Sequence, residues 1–285
     1  MNTALQCLMR LRPLNVLLDG WKNPNETGVQ RFVQEYNDLR VMATGNDGCC
    51  IKPGRFLQAV QFYSREKGLD FATHEQHDAV EFIQFMLGCL HEALAAPIDI
   101  PPEPNDDEIA KKCRDMMRLN FGKEYSSILE LFYGVHVSSI GDSHTPEVFS
   151  TLDLPIPAAA STLAECLQSY TAKDEVQWTN EKTNAVEMAT KQLSFWRMPP
   201  ILIVALKRFN ERGQKNAAIV DIPEAITISG TEYVLRCAVL HNGGTHSGHY
   251  AACAVVHGKW TILDDDSNYP LDSFKQTYCA IYEIK

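Results

Sequence analysis

The residues able to do chemistry fall in four segments of the 285-residue chain, each weak alone and informative in order. The densest is the last: His241-Asn-Gly-Gly-Thr-His-Ser-Gly-His-Tyr, then Lys259-Trp-Thr-Ile-Leu-Asp-Asp-Asp and the closing Tyr278-Cys-Ala-Ile-Tyr-Glu. Before it come Pro199-Pro-Ile-Leu-Ile-Val-Ala-Leu-Lys-Arg-Phe, and earlier still His74-Glu-Gln-His-Asp-Ala-Val-Glu-Phe with Leu90-His-Glu-Ala-Leu. The chain opens on Met1-Asn-Thr-Ala-Leu-Gln-Cys-Leu. Imidazole, carboxylate and thiol are the groups from which thiol catalysis is built, since a thiol attacks only as the thiolate that a neighbouring imidazole or a helix N-terminus favours. Metal binding is the competing chemistry. His241, His246 and His249 would need an apposition that a Gly-rich turn does not supply, and Asp264 to Asp266 reads as a solvated turn, so neither a metal nor another cofactor is expected.

The elements that must position these groups change in texture along the chain. Leu5, Leu8, Met9 and Leu11 share a helical face until Pro13, and Phe32, Tyr36, Leu39 and Met42 repeat the pattern before a turn at 45–48. Pro53 opens a third helix with Phe56, Val60 and Tyr63 on its apolar side, and the strongest helical pattern covers 78–95 before Pro97, Pro101, Pro102 and Pro104. After about Phe121 come short β-branched and aromatic runs at 132–137, 147–154, 192–195, 201–206, 233–240, 250–256, 259–263 and 280–284, interrupted by a helix at 162–170. Helices first and strands afterwards is an α+β arrangement. One unit over 1–285 is expected, a helical lobe over about 1–120 facing a β-rich lobe over about 121–285, with a cleft between them.

Composition narrows the partners. A net charge of -10 disfavours nucleic acid and anionic membrane, and no apolar run approaches a membrane span, which leads us to expect a soluble, intracellular protein, cytoplasmic or nuclear. The nine cysteines (7, 49, 50, 89, 113, 166, 237, 253 and 279) are odd in number and lack a Cys-x-x-Cys pair, so free thiols in a reducing compartment are expected rather than disulfides or zinc knuckles.

Taken together and in order, the four segments resemble the ubiquitin-specific proteases, papain-like cysteine peptidases that remove ubiquitin, from residue 1 almost to residue 285. The resemblance implies a papain-like fold with a helical thumb, a β palm and β fingers. It implies ubiquitin or ubiquitinated proteins as partners, His249 of Gly-His-Tyr as general base, and Asp264 as the residue that orients it. Asp78 and Glu81 match an acidic pair that would meet the arginines of the ubiquitin tail, although Asp78 also suits a helix cap. Gly248 and Tyr250 would line the channel, where Gly243, Gly244 and Gly248 allow the slim Leu-Arg-Gly-Gly tail a close approach.

Two features depart from that family. Its fingers commonly carry zinc-binding cysteine pairs, whereas 137–140 and 177–180 here contain no cysteine. In addition, matching Met1-Asn-Thr to the family's Met-Asn-Ser puts the nucleophilic cysteine two residues before Met1, and Cys7, about two helical turns away, suits the core instead. Without that cysteine, residues 1–285 are expected to be inactive. Either the parent protein continues upstream as an active isopeptidase, or the domain binds ubiquitin or another protein without cleaving it. An α-amine at the positive end of the first helix favours the former.

Overall fold

The computed structural model describes residues 1–24, 28–45, 51–73, 76–104, 107–180, 183–244 and 247–285. Among the described residues seven α-helices come first: α1 (Asn2–Leu8), α2 (Arg12–Gly20), α3 (Gly28–Gly45), α4 (Gly54–Glu66), α5 (Ala79–Leu94), α6 (Glu108–Phe121) and α7 (Ser127–Phe132). Pro13, read from the sequence as a stop, is also a start: it sits in the first turn of α2, where a missing N–H removes no helical hydrogen bond. The expected turn at 45–48 falls mostly outside the described residues. α5 is apolar on nearly every side and is the centre of the helical lobe. Phe82 and Phe85 pack with Phe71, while Phe32 touches Phe56, Tyr63 and Phe85.

Besides α2, two more helices escaped the sequence patterns. α6 buries only Ala110, Cys113 and Met117 amid charged neighbours, so its apolar stripe is one residue wide. α7 is six residues long and ends on Phe132, which moves the strand expected at 132–137 to start at Gly134. The helical part therefore continues to Phe132 rather than to about residue 120.

The strands are β1 (Gly134–Ile140), β2 (Ser143–Phe149), β3 (Leu152–Leu154), β4 (Asp174–Thr179), β5 (Val186–Arg197), β6 (Ile201–Leu206), β7 (Ala225–Ile228), β8 (Thr231–Gly243), β9 (Gly248–Val256), β10 (Lys259–Asp264), β11 (Ser267–Pro270) and β12 (Thr277–Ile284), with α8 (Leu163–Thr171) between β3 and β4. They form two sheets. One has four strands in the order β2-β1-β5-β4, and the other eight, β11-β10-β9-β8-β12-β6-β3 with β7 beside β8. The apolar run expected as one strand at 147–154 is divided between them: β2 stays antiparallel to β1, whereas β3 runs parallel to β6 in the larger sheet.

β6 explains why Ile-Leu-Ile-Val-Ala-Leu is apolar throughout. Ile201, Ile203 and Ala205 face the core built with the helical lobe, while Leu202, Val204 and Leu206 face a second core that includes Leu163, Cys166 and Leu167 of α8. A strand covered on both faces has no polar side to show. α8 is closed by a capping box in which Thr162 and Glu165 bond each other's backbone.

Candidate active site

The β9–β10 hairpin places the two residues expected to do chemistry. Val256 pairs with Lys259 across His257 and Gly258, both at positive φ (49° and 78°), as a two-residue hairpin turn requires. The ladder runs to Leu263 opposite Ala252, so one further step sets Asp264 diagonally across from His249 on the same face. There His249 Nε2 and Asp264 Oδ1 lie 2.5 Å apart. The tyrosine that completes this pair was missed in the sequence. Tyr269 on β11 donates its hydroxyl to Asp264 Oδ2 at 2.7 Å, and only the register of the β10–β11 hairpin, with Asp264 opposite Ser267, reveals it. The Asp264–Asp266 run is the start of this tight turn, as expected, and Asp265 takes φ 50°.

Both members of the pair are shifted toward their charged forms. The hydrogen bond to Asp264 raises the His249 pKa above its ordinary value, and the bonds from His249 and then Tyr269 hold the Asp264 carboxyl below its own. His249 remains half exposed, and its Nδ1 has no hydrogen-bond partner among the described residues. With Nε2 held by the carboxylate, Nδ1 is the nitrogen free to exchange a proton with an incoming group.

The first turn of α1 is fastened beside this pair. Thr3 Oγ1 donates to the carbonyl of Tyr250 at 2.9 Å, and Asn2 Nδ2 donates to Asp265 Oδ1 at 3.2 Å. Seven cysteines are described, and all are buried. Cys7 lies under α1 with its thiol 3.8 Å from the Ala238 carbonyl, in the core as expected; Cys49 and Cys50 lie outside the described residues.

A cleft of about 610 Å³ runs past these elements, lined by Asp78, Glu81, Gly248 and Tyr250 together with residues not singled out from the sequence, among them Asp153, Phe209 and Tyr278. All four residues expected to line a ubiquitin channel thus share one cavity. Asp78 does cap α5: its Oδ1 accepts from the N–H groups of Val80 (2.7 Å) and Glu81 (3.1 Å). Its other oxygen accepts from the hydroxyls of Tyr250 at 2.8 Å and Tyr278 at 2.6 Å, which ties the helical lobe to β9 and β12. Burial, and then that carboxylate, keep both phenols protonated well above their ordinary range.

Gly248 has a different reason to be glycine from the one expected. A Cβ there would meet His241 Nε2 at 2.1 Å, so the space beside the backbone is filled by the imidazole of His241. That ring packs 4.6 Å from Tyr250 and 5.4 Å from Phe209, and burial, then Lys215, lower its pKa. Lys215 in turn donates to the carbonyls of His241 (2.8 Å) and Gly243 (3.1 Å), bracing the turn from which His249 emerges. His246 lies outside the described residues. Of the groups weighed for a metal, His249, Asp264 and Asp265 offer ligand atoms within 4.8 Å of one another, two of the three being exposed.

Comparison with known proteins places this geometry in a lineage. Ubiquitin carboxyl-terminal hydrolase 2 of Bos taurus is 28% identical over 328 residues, covering 100% of this chain and 53% of the relative. Ubiquitin carboxyl-terminal hydrolase 4 of Eremothecium gossypii is 26% identical over 286 residues, covering 83% of this chain and 33% of that protein. The chain thus spans about half, or less, of the length of these relatives. Among solved structures, a chain of the SAGA DUB module Ubp8/Sgf11/Sus1/Sgf73 bound to monoubiquitin superposes with a TM-score of 0.76 at 21% identity, over 100% of this chain and 66% of that one. The yeast module carrying a mutant Sgf73 gives 0.76 at 22% identity, with the same coverage. The α+β fold is therefore the papain-like fold of ubiquitin-specific proteases. The model of the family described as ubiquitin carboxyl-terminal hydrolase matches residues 1–282, and the chain belongs to that family.

Proposed function

We propose that this chain is the catalytic domain of a deubiquitinating thiol hydrolase that acts on isopeptide bonds at the ubiquitin C-terminus. The single observation that carries the reading is the His249–Asp264 pair, held 2.5 Å apart on neighbouring strands at the foot of α1. A thiol entering from the N-terminal side of α1, where the family resemblance puts it, would meet the free Nδ1 of His249. That imidazole takes the thiol proton, the thiolate attacks the terminal glycine carbonyl, and the imidazolium gives its proton to the departing lysine amine. Water, deprotonated by the same histidine, then cleaves the thioester and returns the thiol. Asp264 keeps Nε2 protonated and stabilises the imidazolium, and Tyr269 holds the second carboxylate oxygen.

Ubiquitin as partner is supported by the relatives' family and by the monoubiquitin bound in the SAGA module. The cleft lined by Asp78, Glu81, Gly248 and Tyr250 offers carboxylates to a slim, arginine-bearing tail. A second reading, ubiquitin binding without cleavage, draws on the burial of every described cysteine away from solvent. The discriminating experiment incubates a fluorogenic ubiquitin C-terminal amide with residues 1–285 and with the same chain preceded by Asn-Thr-Cys-Tyr. We expect no turnover from the first and turnover from the second, lost again in His249→Ala. Robust turnover by residues 1–285 would overturn the assignment of the nucleophile, and an inert extended chain that still binds ubiquitin would favour binding alone.

A further inference from the structure

Three carboxylates face the cleft, and the structure treats them unequally. An ionised carboxylate offers about four acceptor positions. Asp78 uses all of them: two backbone N–H groups at the start of α5 and two tyrosine hydroxyls from β9 and β12. Glu81, one turn along α5, and Asp153, on β3, have no side-chain hydrogen bond or ion pair among the described residues, although both line the cavity. Asp153 stands between Leu152 and Leu154, which are both fully buried in the sheet, so the strand alternation turns its carboxylate to the open side. Its register beside Ala205 of β6 brings it onto the palm wall near Lys207, while Glu81 stands on the helical wall.

We propose that the carboxylates divide the work: Asp78 is a positioning residue that clamps α5 to the sheet, and Asp153 joins Glu81 in receiving an arginine of the ubiquitin tail. This rests on the reading that the cleft takes that tail. A guanidinium has five N–H donors in a planar fork and needs acceptors that are not already occupied, which Asp78 lacks and the other two supply from opposite walls. Asp153 is then a residue that selects for a basic tail, and Asp78 acts through the tyrosines by fixing the width of the channel. Burial in the cleft raises the Asp153 pKa, with Lys207 opposing, so an arriving cation would also relieve an unfavourably placed charge.

The test titrates fluorescently labelled ubiquitin into the 285-residue chain and its variants, alongside thermal melts without ubiquitin. Asp153→Asn should weaken binding roughly tenfold at low salt, with a smaller loss at high salt and an unchanged melting temperature. Asp153→Glu should recover most of the affinity. Asp78→Asn should lower the melting temperature in the absence of ubiquitin, and Tyr278→Phe, which removes only one of the four contacts, should do so to a smaller extent if Asp78→Asn does not fold. Unchanged affinity in Asp153→Asn would overturn the role of Asp153 while leaving ubiquitin binding intact. Wild-type stability in Asp78→Asn or Tyr278→Phe, combined with lost ubiquitin binding, would overturn the clamp and return Asp78 to the ligand set. A wild-type chain that binds no ubiquitin would sink the functional reading and the Asp153 assignment together, whereas the melts still decide the clamp.

Discussion

Thr3 and Tyr250 are 247 positions apart, yet the Thr3 hydroxyl donates to the Tyr250 carbonyl at 2.9 Å and fixes the first turn of α1 against the strand that begins beside His249. This bond ties the helical lobe to the hairpin that carries the histidine. It works with the Asp78 bonds to Tyr250 and Tyr278, so the same short stretch of β9 is gripped from two helices. These contacts border the cleft at the edge of the apolar core that α1 and α5 share with the larger sheet.

Replacing Asp264 with Asn should lower the pKa of His249, because the hydrogen bond that His249 donates to Asp264 is the largest cause of its elevation. Histidine gains stability from a raised pKa below its unfolded value and loses it as pH rises through the folded one. Asp264, with its pKa depressed, contributes above its unfolded value and loses that contribution as pH falls through the folded one. The difference in stability between wild type and Asp264→Asn should therefore be largest between the ordinary carboxylate and imidazole ranges, and shrink on either side. Imidazole NMR titration and denaturation across pH would check both signs, and an unmoved His249 pKa would contradict the pairing.

Gly248→Ala should destabilise the protein by about 1–3 kcal/mol, the usual cost of overpacking, since the new methyl would collide with His241. In a His241→Ala background the same substitution should cost less but not nothing, since the Gly244 carbonyl, 2.9 Å from the new Cβ, remains in place. Chemical denaturation of the four proteins forms a double-mutant cycle, and additive effects would show that the two positions do not share this space.

The described thiols should resist modification in the native state. Each is buried, and burial pushes the Cys113 thiol up to about 11 and the Cys253 thiol up to about 12, far from the thiolate. Counting thiols that react with Ellman's reagent before and after adding denaturant tests this by mass spectrometric mapping. Rapid native labelling of Cys7 would be the contrary result.

Chelation should leave the melting temperature unchanged. In the four-stranded sheet the stretches where related fingers carry zinc ligands are held by strand pairing, Val137 opposite Ser194 and Gln177 opposite Met188. A melt with and without EDTA measures it, and a marked drop would reveal a structural metal.

Much of this was legible in the residues. The run 201–206 is a strand over its expected bounds, and 162–170 forms α8 within a residue at each end, because a continuous apolar run in one and a capping box in the other are strong local signals. Other elements were hidden for local reasons. β4, β7 and β11 are short and largely exposed, so their polar residues carry no core pattern, and α6 and α7 show too narrow or too brief an apolar face. The run at 147–154 was continuous in character, and only partner strands divided it between two sheets.

The sequence by itself determined the α+β order of elements, the family resemblance, and the identity of His249, Asp264, Asp78 and Glu81 as residues to watch, because these depend on local pattern and motif. Tertiary structure decided how they are used. It brought Tyr269 onto Asp264, filled the space beside Gly248 with His241, occupied every acceptor of Asp78, and left Asp153 in the same cleft as Glu81 without a side-chain hydrogen bond or ion pair among the described residues. Those outcomes depend on strand register and on which lone pairs are already taken. Neither is written in the spacing of residues, since a hydrogen bond is satisfied by whatever the fold carries within about 3 Å of it.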